Sequence, residues 1–295
     1  MGSALTVDNL RKSLLQDVAY LSERSGIQWN RAIVETVREL RHAALPAVYF
    51  GGTLRSLLLN RIRGRKGLGR PRDLDIVVAD ASIQRLKQRL GHRVVRETRF
   101  GGIKVERESW QFDLWPLEAT WAFKKDQNLF STFSALPYTT FFNLEAVAVD
   151  VWARPGSQRN IYEGDGRFFE GLLTKTIELN DEHNPFPALC VVRSLVMAKT
   201  TGFAIGPRLV SYLFTHSIRI SDCELETAQR HHYGKQRLST KDMRRLLVFI
   251  KESVRRDGTP SRLELPLGQQ MVLWNDVDAG PRFKFHVVAK RADRG

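Results

Sequence analysis

The 295-residue chain carries 46 lysines and arginines against 32 acids, a formal net charge of +14, and 42% of its residues are hydrophobic. That size and hydrophobic content allow two modest globular domains or one large one, and the basic excess points to a polyanionic partner such as nucleic acid. Two distant cysteines, Cys190 and Cys223, exclude a disulfide framework and fit a reducing cytoplasm, while no apolar window approaches the roughly 18 residues of a membrane span.

From Asp8 to Arg24, Leu10, Leu14, Val18 and Leu21 recur at helical spacing, with Asp8 as the expected N-cap. A second helix carries Ile33, Val37 and Leu40 and ends before Pro46. Next comes an apolar strand, Ala47 to Phe50, then a Gly51-Gly52 turn and a short amphipathic segment. From Arg61 to Arg72 there are six basic residues and no acid, interleaved with Gly64, Gly67 and Gly69. This positive loop leads into a second strand through Asp73-Leu74-Asp75. Residues two apart on a strand project to one face, so Asp73 and Asp75 would sit side by side, a placement that needs a cation.

Asp80 is the expected cap of a helix bearing Ile83, Leu86 and Leu90, and His92 to Val95 begins another strand. In Trp110-Gln111-Phe112-Asp113-Leu114-Trp115 a third acid stands between large hydrophobes, where aspartate is depleted unless it has a partner. Three carboxylates around Mg²⁺, with glycine amides nearby to approach phosphate oxygens, make a site for phosphoryl or nucleotidyl transfer.

Further on, Phe130 to Val151 holds T-T-F-F-N-L-E-A-V-A-V-D-V, and Gly156 to Gly171 reads as loop. A helix follows in N-P-F-P-A-L-C-V-V-R-S-L-V-M-A-K-T-T-G-F-A-I, from Asn184 to Ile205. Pro207 to Arg262 is helical in pattern, with twelve basic residues to six acids and an apolar stripe of Met243, Leu246, Leu247 and Ile250. Cys223 lies near His216, His231 and His232, but the spacing matches no zinc pattern. Leu265 to Lys290 has β-like runs of no assigned role.

The arrangement resembles the nucleotidyltransferase superfamily of DNA polymerase β, and most closely the head and neck of bacterial poly(A) polymerases and class II CCA-adding tRNA nucleotidyltransferases. The resemblance rests on Gly51-Gly52-Thr53-Leu54-Arg55-Ser56, Asp73-Leu74-Asp75-Ile76, Phe100 to Val105 leading to Phe112-Asp113-Leu114, and the neck-like helix with Arg193, Gly202, Phe203 and Ile205. It spans Val48 to Ile205. Ser56 stands where the family has aspartate, Thr139, Thr140 and Phe141 replace its Arg-Arg-Asp, Glu145 replaces its asparagine, and Val196 replaces its second neck arginine. The family's base-reading E-D-x-x-R element has no counterpart in the sequence.

The resemblance implies a head with a mixed sheet flanked by helices and a helical neck; with the pattern of the flanking residues, the expected α+β organisation is a head with N-terminal helices (1–155), a mostly helical neck and body (156–262), and a short β-like basic tail of no assigned role (263–295). The resemblance also implies transfer of a nucleoside monophosphate from an NTP to an acceptor hydroxyl with release of pyrophosphate. Two Mg²⁺ ions, replaceable by Mn²⁺, would be held by Asp73 and Asp75, with Asp113 on the first. Gly51, Gly52, Thr53, Arg55, Ser56 and Arg193 would contact the nucleotide. Charge adds Arg63, Arg65, Lys66 and Arg70 of the loop, and Arg244, Arg245 and Lys251 of the last helix, as contacts to an RNA such as tRNA. A protein or small-molecule acceptor, and a catalytically inactive RNA-binding protein, are the alternatives.

Overall fold

The computed structural model describes residues 5–24, 28–64, 71, 74–98, 101–107, 110–125 and 130–266. Two stretches of apolar residues at helical spacing become α1 (Val7–Glu23) and α2 (Gln28–His42). The cap of α1 is Thr6, extended at φ −121°, whose side chain accepts the Asn9 N–H; Asp8, expected as the cap, lies inside the first turn. Likewise Ser82, not Asp80, caps α4 (Ile83–Leu90) by accepting the Arg85 N–H, while Asp80 takes a left-handed turn at φ 55°.

The sheet is built around β1 (Ala47–Phe50) and β2 (Asp75–Val78), joined through α3 (Gly52–Ile62). The remaining strands are β3 (Val94–Glu97), β4 (Ile103–Arg107), β5 (Trp110–Pro116), β6 (Val147–Asp150) and β7 (Ile161–Glu163). They run in the order β3-β4-β5-β2-β1-β6-β7, antiparallel throughout except for the parallel pair β2 and β5. The stretch read as loop from Gly156 to Gly171 therefore contains the sheet's last strand, and it ends in α6 (Arg167–Leu173). Three residues of β7 carry too little alternation to be seen from the sequence.

Strand alternation divides the sheet into two faces. Tyr49, Ile76, Val78, Phe112, Leu114, Val147 and Val149 point into the main core with Leu10, Leu14, Leu54, Leu57 and Leu58 of α1 and α3. Each fully buried leucine there contributes roughly 1.5–3 kcal/mol. On the opposite face Val48, Val77 and Ala148 form a smaller cluster with Leu117, Leu136 and Phe123, the last on the short helix α5 (Trp121–Lys125). The apolar cover of this second face is smaller, and it is the face on which the strand carboxylates project.

Beyond the sheet, β8 (Thr176–Ile177) pairs with β9 (Ala204–Ile205) on either side of α7 (Pro187–Thr201). The chain then runs through α8 (Pro207–Ser217), α9 (Asp222–Tyr233) and α10 (Thr240–Asp257). Met243, Leu246, Leu247 and Ile250 form the buried stripe of α10. Glu178 accepts the Leu209 N–H at 2.8 Å and so caps α8, packed so closely that a Cβ on Gly206 would lie 2.3 Å from its Oε2. Leu263 pairs back to Ile205 through two 2.8 Å backbone bonds; the rest of the expected β-like tail, past residue 266, lies outside the described residues. Among the described residues no helix is long and apolar enough to cross a membrane, and Cys190 and Cys223 are free thiols.

Candidate active site

Asp75 opens β2 and Asp113 lies in the middle of β5, and the parallel register sets them directly opposite one another. Their strands are therefore about 4.8 Å apart with both side chains on the same face. A backbone bond from the Asp113 N–H to the Leu74 carbonyl, 2.9 Å, fixes this register at the site itself. On the other side of Asp113, β4 places Lys104 opposite it, so Lys104, Asp113 and Asp75 form one row across three strands. The Lys104 ammonium lies 2.7 Å from Asp113 Oδ1, an enclosed oxygen that it meets without hydrogen-bond geometry.

The glycine turn stands beside this row. Gly51 takes φ 66° and ψ −127°, a conformation that admits glycine, and its N–H donates to the Val147 carbonyl at 3.1 Å. That bond carries the β1–β6 pairing up to the turn, and the positive φ of Gly51 then sends the chain straight into α3. Buried Thr53, in the first turn of α3, accepts the Asp75 N–H at 3.4 Å, which ties the start of the helix to the start of the metal-candidate strand. Ser56, where the resembling family has aspartate, donates back to the Gly52 carbonyl at 2.8 Å.

Arg55 and Arg193 converge on one carboxylate. Arg55 Nη1 donates to Glu145 Oε1 at 2.6 Å, and Arg193 Nη2, from α7, donates to both Glu145 oxygens at 2.7 Å. Arg193 also stacks its guanidinium over Phe142, 5.1 Å from the ring centroid. Burial would push the Glu145 carboxyl up, but Arg193 and Arg55 together outweigh it and hold the carboxyl at about 2. Burial likewise opposes the charge on Arg193, and Glu145 reverses that, raising the guanidinium above its ordinary value. In the sequence Glu145 stood out only as the residue in place of the resembling pattern's asparagine; its two partners, 90 and 48 positions away, were not visible.

Thr139, Thr140 and Phe141, at the positions of the family's polar readers, serve the fold. Thr140 donates toward the Pro137 and Phe142 carbonyls at 3.1 Å, Thr139 to the Leu136 carbonyl at 2.7 Å, and Phe141 is buried. Of the predicted RNA contacts, Arg63 donates to the Thr200 and Thr201 carbonyls at 2.8 and 3.2 Å, closing the C-terminus of α7. Arg244 binds the Ile220 carbonyl at 2.5 Å and the Asp222 carboxylate. Arg245 is exposed and Lys251 half-buried on α10. Arg65, Lys66, Arg70 and Asp73 lie outside the described residues.

No protein-family model and no curated protein sequence matches the chain. Solved structures do. The Thermotoga maritima CCA-adding enzyme complexed with tRNA aligns over 80% of this chain and 54% of its own, at 16% identity and a TM-score of 0.55. A CCA-adding enzyme with CTP aligns over 83% of this chain and 55% of its own, at 15% identity and a TM-score of 0.56; an apo form covers 81% and 54%, at 14% and 0.57. This chain has the fold of the CCA-adding enzymes. It spans about half the length of the CCA-adding enzymes it matches.

Two carboxylates side by side fit a hard divalent cation that takes oxygen ligands, and the enclosed Asp113 Oδ1, beside the Lys104 ammonium, accepts no hydrogen bond that such an ion would displace. Among the described residues no group of three or more His, Cys, Asp and Glu side chains converges, and Asp73, two positions before Asp75, is not among those residues.

Proposed function

We propose that the chain is a divalent-metal-dependent nucleotidyltransferase that moves a nucleoside monophosphate from an NTP to the 3′ end of an RNA such as tRNA. The observation that carries this reading is the register pairing of Asp75 with Asp113 on one face of the sheet, one hydrogen bond from the first turn after Gly51-Gly52. The fold supports it, since the similar structures include complexes with tRNA, CTP and ATP.

Asp75 and Asp113, with Asp73, would hold Mg²⁺. Bound there, Mg²⁺ would lower the pKa of the acceptor hydroxyl and neutralise charge on the triphosphate. The protein's own part is positional. The parallel register fixes the separation of the two carboxylates, Thr53 locks β2 to α3, and the bare backbone of the glycine turn leaves room for phosphate oxygens. Lys104 keeps a cation on Asp113 until the metal-bound state forms, which limits the cost of two neighbouring carboxylates.

The test is incubation with each labelled NTP, Mg²⁺ and cell extract, followed by separation of RNA, protein and small molecules. Label at RNA 3′ ends is the expected result. Label in protein or a small molecule moves the acceptor to the alternative class, and label nowhere overturns the reading. A non-catalytic RNA-binding protein is favoured by one observation, the Lys104 ammonium at 2.7 Å from Asp113, which supplies that carboxylate with a cation of the protein's own.

A further inference from the structure

We propose that Glu145 is a positioning residue of the nucleotide site: it holds Arg55 and Arg193 beside the glycine turn and withholds half of their charge from the polyphosphate. The inference rests on the nucleotidyltransferase reading and concerns a residue at which this chain departs from the pattern it resembles.

Glu145 ends a 3-10 turn, Asn143–Glu145, immediately before β6. Asn143 anchors that turn, its Oδ1 accepting the Leu144 and Glu178 N–H groups at 2.8 Å each. The carboxylate so placed lies against the glycine turn: a Cβ built on Gly52 would stand 3.9 Å from Glu145 Oε1 and 3.4 Å from Arg55 Nη2. Its side chain is 11% exposed, whereas those of Arg55 and Arg193 are 19% and 22% exposed. The acid is the most enclosed of the three, and both arginine side chains keep some exposure.

Two cations and one anion leave a net charge of +1 at the start of α3. Without the carboxylate, two guanidiniums and the helix start would be neutralised only by an external anion, and a phosphate chain is the anion their forked donors fit. An enzyme that must take up a triphosphate and then release pyrophosphate gains from holding that attraction down. Glu145 does this, and by bonding both arginines it also fixes where their remaining donors point.

The probe is inorganic tripolyphosphate, titrated against the full chain by calorimetry. In Glu145→Gln, tripolyphosphate is expected to bind roughly tenfold or more tightly than in the wild type, the scale of one charge-assisted hydrogen bond set free. Turnover should fall while the KM for NTP also falls, and Glu145→Asp should restore part of the wild-type behaviour. A merely structural glutamate would lower the melting temperature and leave tripolyphosphate affinity and KM unchanged, which overturns the proposal. If Glu145→Gln does not fold, the double variant Glu145→Gln, Arg193→Met carries one cation fewer: it should bind the probe like the wild type, with Arg193→Met alone weaker, and equal affinity in all three overturns it. An active wild type with an unaffected, folded Glu145→Gln sinks this inference and leaves the transferase reading standing. A wild type that binds the probe as described but transfers no nucleotide does the reverse.

Discussion

Asp113→Asn separates the fold from the chemistry, because the two depend on different parts of the residue. The backbone of Asp113 is held by its N–H to the Leu74 carbonyl at 2.9 Å and by the ladders to β2 and β4, none of which uses the carboxylate. The side chain contributes an ion pair with Lys104, with the two side chains 35% and 19% exposed. Both side chains keep partial exposure although the paired oxygen is enclosed, so the pair contributes about 1 kcal/mol and the melting temperature should fall by a few degrees. The same substitution removes one of the negative charges that would hold the catalytic ion, an effect of several kcal/mol in the transition state; about 4 kcal/mol corresponds to roughly a thousandfold in rate. Circular-dichroism melts and single-turnover transfer of labelled nucleotide measure the two effects independently. Asp75→Asn should behave alike, and the double variant should lose little more, since the two carboxylates act as a unit. A folded Asp113→Asn protein that transfers within tenfold of the wild type would refute the site assignment.

The Glu145 carboxyl, at about 2 when folded against 4.5 in the free chain, stabilises the fold above pH 4.5 by about 3 kcal/mol, and this is lost as pH falls towards 2. Urea unfolding from pH 7 to 3 should show a shallower acid decline in Glu145→Gln than in the wild type, and equal slopes would contradict the clasp. For RNA, neutralising Arg245 and Lys251 should flatten the dependence of log K on log salt by up to about 1.4 without moving the melting temperature. Arg244→Ala should instead lower the melting temperature, because Arg244 holds the Ile220 carbonyl and Asp222; an unchanged slope in the first variant removes α10 from the RNA path.

What could be read from the sequence was local. The strand, glycine turn and helix from Ala47 to Ile62 announce themselves through a switch from an apolar run to a glycine pair to helical spacing, and β5 through large hydrophobes flanking one acid. The N-caps were displaced by two residues each time, from Thr6 to Asp8 and from Ser82 to Asp80. A cap must sit in extended backbone with its oxygen on the third N–H of the helix, and residue type alone does not reveal which of two neighbouring polar residues does so. The opposition of Asp75 and Asp113 needed a register, and a register between strands 38 positions apart is set by packing, not by spacing. Glu145 was legible only as a departure from the resembling pattern, and its role as a clasp, which needs partners 90 and 48 positions away, was illegible for the same reason.

The basic residues teach a related point about where a polyanion can be met. Arg63 donates to the last carbonyls of α7, and Arg244 to the Ser217 carbonyl that ends α8, at 3.4 Å, as well as to Ile220 beyond it. Both stand where carbonyls at a helix end lack intrahelical partners and where the helix dipole favours a cation. Arg55 is bound by Glu145. Three cations that net charge alone would offer to phosphate therefore have protein partners, and a formal charge of +14 overstates what is presented to a ligand. On α10 the apolar stripe turns inward, and Lys241, Arg245 and Arg255 are exposed on its outer side. There a phosphate can replace water without displacing a carboxylate or a carbonyl. An RNA path over the described residues is therefore expected to follow that helix.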